Sequence, residues 1–139
     1  KAAGMELDFW KIAMRPGKPL MFGRLGETRV LGLPGNPVSS LVCAVLFLGP
    51  LLSALLGEPP RDRTEAAILG ADMGENDQRQ DYVRATLTES PDSLPIVTPY
   101  PRQDSSMLAT LARSDCLVIR PPFAPPASAG TLCRILRLP

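Results

Sequence analysis

Residues 30–57 carry no charged side chain, and this limits the folds open to the chain. Within that run, Gly32-Leu33-Pro34-Gly35-Asn36-Pro37-Val38-Ser39-Ser40 reads as the end of a strand, a turn and a helix start. Asn36 is a preferred N-cap. Pro37 suits the first helical position, where its missing N–H would have no intrahelical partner anyway. The helix opened here should run to just before Gly57. Its first turn is expected to offer free backbone N–H groups, the positive end of the helix dipole and the hydroxyls of Ser39 and Ser40, a setting for a ligand with negative oxygens. An ordinary strand–turn–helix junction carries the same signature, so the loop alone leaves both readings open.

The apolar stretch over 41–56 is broken by Gly49-Pro50 and falls short of the roughly 20 residues that a spanning helix wants. No basic flank or aromatic belt marks its ends. The expectation is therefore a core helix, apolar all round because protein covers it on several sides, with no membrane partner.

With 45% hydrophobic and 21% charged residues over 139 positions, the composition fits one average domain or two small ones. A net charge of +1 argues against a broad nucleic-acid surface. There is no histidine, which removes Ser-His-Asp and Cys-His catalysis, histidine-ligated zinc and a histidine general base together. Cys43, Cys116 and Cys133 form no C-x-x-C pair and sit among apolar neighbours, so buried reduced thiols in a cytoplasmic protein are expected. The opening Lys1-Ala2-Ala3-Gly4-Met5 reads as the last turn of a helix ended by Gly4, which suggests a C-terminal fragment of something longer.

Organisation changes once along the chain. Residues 8–15 alternate as a strand should, with Trp10, Ile12 and Met14 on one face and Lys11, Ala13 and Arg15 on the other. Arg15-Pro16-Gly17-Lys18-Pro19 is a turn, and 19–25 and 29–33 are two further short strands. This first part, residues 1–57, is α/β in character. A linker at 58–61 breaks every periodicity. Beyond it, 62–139 is all-β: strands are expected over 64–70, 82–88, 94–98, 116–120 and 131–138, with one helix over 105–112. Short strands at that spacing predict a small barrel or sandwich. Pro121-Pro122-Phe123-Ala124-Pro125-Pro126 reads as a stiff connector or as a recognition segment.

Lys11 and Arg15 on one strand face, with Lys18 just past the turn, make three cations ahead of the Pro-Gly-Asn-Pro loop. So placed they suit a phosphate or another tetrahedral oxyanion; a solvated strand face would look the same.

The ordered run Asp8-Phe9-Trp10-Lys11-Ile12-Ala13-Met14-Arg15-Pro16-Gly17-Lys18-Pro19, then Phe22-Gly23 and Gly32 through Ser40, resembles the molybdopterin molybdenumtransferases, the MoeA and gephyrin E-domain family. Asp81-Tyr82-Val83-Arg84, Gln103-Asp104-Ser105 and Ser114-Asp115-Cys116-Leu117-Val118-Ile119 extend the match through the second half. The resemblance implies the C-terminal part of an α/β/α domain (molybdopterin-binding, MogA-like) followed by a β-barrel-like domain. It implies insertion of molybdate into adenylated molybdopterin, with magnesium, by a homodimer whose cleft lies between the two domains. Carried over position by position, Lys11, Arg15 and Lys18 face the pterin or molybdate. Pro34, Gly35, Asn36 and Pro37 shape the loop, and Ser39 donates at the helix start. Arg84 and Ser105 contact the anion from the second domain. Arg15 stands where relatives often have lysine, which keeps charge and changes geometry. No catalytic side chain and no metal ligand is assigned: the family's magnesium ligands are expected upstream of Lys1, and Glu6, Asp8, Asp62, Asp72, Glu75, Asp77 and Asp81 read as solvated loop and strand-edge charges. A chain of this extent alone is expected to be inactive. The alternative is a non-catalytic dimerising scaffold or partner-binding module of the same fold.

Overall fold

The computed structural model describes residues 4–104 and 107–139. Contacts divide the chain into two compact units, Lys1–Pro60 and Arg61–Pro139. The helix end expected at Lys1 to Gly4 falls largely outside the described residues, as does Ser105.

In the first unit, β1 (Glu6–Trp10), β3 (Met21–Leu25) and β4 (Thr28–Gly32) form an antiparallel sheet in the order β1-β3-β4. Gly26, at φ 57°, supplies the left-handed turn between β3 and β4. Phe9 lies opposite Phe22, and their rings meet at a 30° tilt with centroids 5.9 Å apart. The single strand expected over 8–15 is split. β1 ends at Trp10, and only Met14–Arg15 is extended again, as β2. The cause is local: Lys11 takes a left-handed backbone, φ 68°, which stops strand alternation at that residue. The interrupted segment then folds back, the Lys11 N–H donating to the Leu20 carbonyl at 3.1 Å and the Ile12 N–H to that of Lys18 at 2.9 Å.

The helix begins where the sequence placed it. α1 (Pro37–Cys43) passes through a π-helical segment, Ala44–Leu48, into α2 (Gly49–Leu55). The Gly49 N–H reaches back to the Ala44 carbonyl, a wider turn placed directly before Pro50, which has no N–H to continue the ladder. Over Pro37–Leu55 this helix is long and apolar enough, by length and composition, to cross a membrane. Its expected burial on several sides is not what the structure has: 22% of its most apolar window is buried, and Leu41, Leu52, Leu55 and Leu56 are exposed. The buried side bears Val38, Ser39, Val42 and Cys43, and Cys43 meets the turn at Gly17.

The second unit is a closed five-strand barrel. β5 (Thr64–Leu69), β6 (Gln80–Thr88), β7 (Ile96–Pro99), β8 (Cys116–Arg120) and β9 (Leu132–Arg137) run in the order β6-β7-β5-β9-β8, and β6 pairs with β8 to close it. All neighbours are antiparallel except β5 and β7, which share two parallel pairs. Alternate residues point inward, and Ala67, Leu69, Val83, Ala85, Val97, Cys116, Val118 and Ile135 make the core. α3 (Leu108–Ala112) follows β7. The proline-rich segment is a fixed loop. The Arg120 guanidinium donates to the carbonyls of Gly74, Ala124 and Pro125, and the Asn76 amide donates to that of Pro121.

Candidate functional site

The first unit gathers its three cations around one turn. Lys11, Arg15 and Lys18 are all exposed, and the two hydrogen bonds that fold residues 11–12 back onto 18–20 hold the turn shut. Gly17 at its centre is buried, with φ 116°. The Cys43 thiol lies 4.0 Å from the Gly17 carbonyl, so α1 is seated directly against the turn. That contact needs the missing side chain, since a Cβ on Gly17 would stand 2.5 Å from the Cys43 sulfur. The Lys11 ammonium lies over the Trp10 ring, 4.2 Å from its centroid.

The Pro-Gly-Asn-Pro loop is built as the sequence implies, with one difference. Pro34 and Ser39 are buried, Asn36 is half-buried, and Gly35 and Pro37 are exposed. The Asn36 carboxamide oxygen accepts from the N–H groups of Val38 at 3.1 Å and Ser39 at 3.2 Å, and its backbone carbonyl accepts from Ser40 at 2.8 Å. The free first-turn donors expected for an anion are therefore taken by the cap. Pro37 brings none. What the loop still offers an anion is the helix dipole.

In the second unit Arg84 is 2% exposed, and its guanidinium serves the protein. Nε donates to the Gln103 amide oxygen at 3.2 Å, Nη1 to the Met107 carbonyl at 3.3 Å and Nη2 to the Asp104 carbonyl at 2.9 Å. Burial lowers its pKa, opposed by the Asp104 carboxylate. Arg84 thus anchors both ends of the segment that carries Ser105.

Several carboxylates expected as solvated charges have specific partners. Glu6 pairs with Arg24 at 2.9 Å, Asp62 with Arg134 at 2.8 Å and Asp77 with Arg79 at 2.7 Å. Thr64 and Arg134 hold the Asp62 pKa down. Asp81 is buried, contrary to expectation, because its place on β6 turns it away from solvent. Among the described residues, no three His, Cys, Asp or Glu side chains come together as a metal site. These described residues do not supply a donor set for magnesium. The thiols are unpaired and unsuited to nucleophilic work: burial pushes Cys43 up to about 11 and Cys116 to about 12, and it raises Cys133 as well.

Sequence reasoning missed three features. Trp10, placed on one strand face with Ile12 and Met14, is exposed and carries the Lys11 ammonium on its ring. Gln103 was quoted only as part of a motif, and it is the main partner of Arg84. A cavity of about 930 Å³ opens on the barrel, lined by residues including Glu65, Leu69, Arg120, Pro125, Leu132 and Arg134. It contains none of the residues singled out for anion binding.

Comparison with known proteins identifies the class. The family model for the MoeA C-terminal region (domain IV) matches residues 66–138, and the one described as "Probable molybdopterin binding domain" matches 1–54. The chain belongs to the molybdopterin molybdenumtransferase family, that of MoeA and the gephyrin E-domain. It is 32% identical over 119 residues to a molybdopterin molybdenumtransferase of Haemophilus influenzae, covering 82% of this chain and 29% of the relative. Molybdopterin molybdenumtransferase 2 of Mycobacterium tuberculosis is 32% identical over 130 residues, covering 93% and 31%. The crystal structure of the molybdopterin biosynthesis moeA protein from Pyrococcus horikoshii OT3 superposes with a TM-score of 0.78 at 22% identity, over 96% of this chain and 33% of that one. The fold is shared: an α/β region followed by a closed five-strand barrel. The chain spans about 30% of the length of the curated relatives it matches.

Proposed function

We propose that this protein serves molybdenum cofactor biosynthesis by taking part in the insertion of molybdate into adenylated molybdopterin. The observation that carries the reading is the turn at residues 11–18, where Lys11, Arg15 and Lys18 stand exposed around a backbone fixed by two hydrogen bonds and seated on α1. Three cations on one hydrogen-bonded turn favour a tetrahedral oxyanion over a neutral ligand. Lysine supplies a compact ammonium, and Arg15 supplies a planar fork that grips two oxygens at once.

The chain's own contribution is binding and charge neutralisation. Holding the oxyanion or the pterin phosphate on fixed cations lowers the cost of bringing two anionic partners together and orients them. No protein nucleophile is required, in keeping with thiols whose pKa is pushed upward. On this reading Arg84 is a positioning residue that ties down Gln103, Asp104 and Met107, the described residues on either side of Ser105 in the sequence. The reading also carries a cytoplasmic, homodimeric enzyme without nucleic-acid or membrane partners. The unpaired thiols are in keeping with the cytoplasmic part of that reading, and the net charge of +1 with the lack of a nucleic-acid partner.

Calorimetric titration of molybdate into the protein tests the reading, compared with Arg15→Ala. Weakened binding in the variant supports it. Unchanged affinity removes Arg15 from the site. A second reading, a partner-binding module, draws on the cavity walled by Pro121, Pro125 and Pro126. A peptide captured there would be indifferent to molybdate.

A further inference from the structure

Lys11 and Trp10 are successive residues, and in an extended strand they would point to opposite faces. They do not. The left-handed backbone at Lys11 ends the alternation and brings its ammonium to 4.2 Å from the centre of the Trp10 ring. Non-glycine residues seldom adopt that conformation, and Lys11 is held in it by its N–H bond to Leu20 on one side and the Ile12 bond to Lys18 on the other. The indole is 58% exposed, so covering apolar surface does not account for its place.

We propose that Trp10 is the positioning residue for Lys11 at an oxyanion site. The inference rests on the functional reading above and deepens it. A free lysine side chain samples many rotamers, and an anion that captures it must stop that motion. The negative face of the indole attracts the ammonium and restricts it before the anion arrives. An ammonium has three donors. Resting one side on a ring leaves the others for oxygens of the ligand. The ligand class is a tetrahedral oxyanion, with molybdate as the probe.

The experiment is a double-mutant cycle on molybdate affinity in the full chain, using Trp10→Leu, Lys11→Met and the double variant, with Trp10→Phe as the conservative replacement. An exposed cation–π contact corresponds to about a two- to fivefold change in Kd. Trp10→Leu should weaken binding by that factor, and Trp10→Phe should recover most of it. In the Lys11→Met background, Trp10→Leu should have no further effect. Trp10 is the only tryptophan, so molybdate should also change the intrinsic fluorescence of the unsubstituted protein and not that of Lys11→Met.

Equal losses from Trp10→Leu in both backgrounds, or no loss in either, overturn the proposal and leave the cationic site standing. Binding unaffected by Lys11→Met overturns it too. Absence of molybdate binding by the unsubstituted protein overturns the functional reading and this inference together. Should Trp10→Leu misfold by circular dichroism, Trp10→Phe and the fluorescence titration decide alone.

Discussion

Arg84 and Gln103 hold each other through both backbone and side chain. The Gln103 amide oxygen accepts from the Arg84 N–H at 2.9 Å and from its Nε at 3.2 Å, and the Gln103 NH2 donates to the Arg84 carbonyl at 3.0 Å. β6 carries the buried partner; Gln103 carries the start of the segment leading to α3. Removing the amide in Gln103→Ala leaves the backbone N–H and Nε of buried Arg84 without this acceptor, while the Arg84 carbonyl keeps the Tyr100 N–H. A loss of about 1–3 kcal/mol in urea unfolding is expected. Hydrogen exchange at the Arg84 amide should quicken in the same variant.

The Asn36 cap predicts a smaller effect. Asn36→Ala leaves the Val38 and Ser39 N–H groups without their acceptor. Stability should fall by about 1 kcal/mol, and Asn36→Asp or Asn36→Ser should restore most of it in the same denaturation assay.

Gly17→Ala should be costlier than either its size or its place in a turn suggests. Its φ of 116° disfavours any L side chain, and the new methyl would meet the Cys43 sulfur and the Met14 terminal methyl at 2.5 Å. Overpacking of this kind costs about 1–3 kcal/mol. Combining it with Cys43→Ala should return part of the loss, measurable as a coupling in thermal or urea unfolding.

The buried thiols predict the alkaline limb of stability. Cys116 titrates near 12 and Cys43 near 11 when folded, against an ordinary value of 9.0. Above pH 9 the unfolded chain releases these protons and the folded one keeps them, so the unfolded state binds fewer. Stability contributed by the protonated thiols is complete below pH 9 and falls as pH rises through 11–12, with a slope of up to about 1.4 kcal/mol per pH unit for each thiol. Cys116→Ala should flatten that slope. An identical pH profile in the variant would contradict the assignment.

Most of the barrel was legible because punctuation in this chain is strong. Gly, Pro, Ser and Asp clusters bracket each apolar run, and 116–120 was read to the residue. The start of α1 was legible for the same reason, since Asn-Pro is a cap whose chemistry is local. The failures share another cause. Alternation of Trp10, Ile12 and Met14 says nothing about the sign of φ at Lys11, where hydrogen bonds to Leu20 and Lys18 override the strand pattern. The cap at Asn36 was anticipated, but only geometry shows that it consumes the donors an anion would use. Arg84 carries the same lesson, because a sequence reports a charge and not whether backbone carbonyls have already claimed it. The apolar helix was expected to be covered, since composition gives the demand for burial and not the supply of partners.

The position of β9 has a consequence for the order of assembly. It pairs with β5, the first strand of the barrel, through Thr64 to Ile68, and with β8 through Cys116 to Ile119. The barrel's first and last strands are thus neighbours, and its circumference stays open until the final one arrives. On the ribosome, β5 through β8 must wait with unpaired edges for residues 132–137 to emerge. Such a nascent sheet presents the exposed strand edges that recruit other chains. Ending translation just short of Leu132 would convert a closed barrel into an adhesive sheet, so for this unit the arrival of β9 and protection from aggregation are one event.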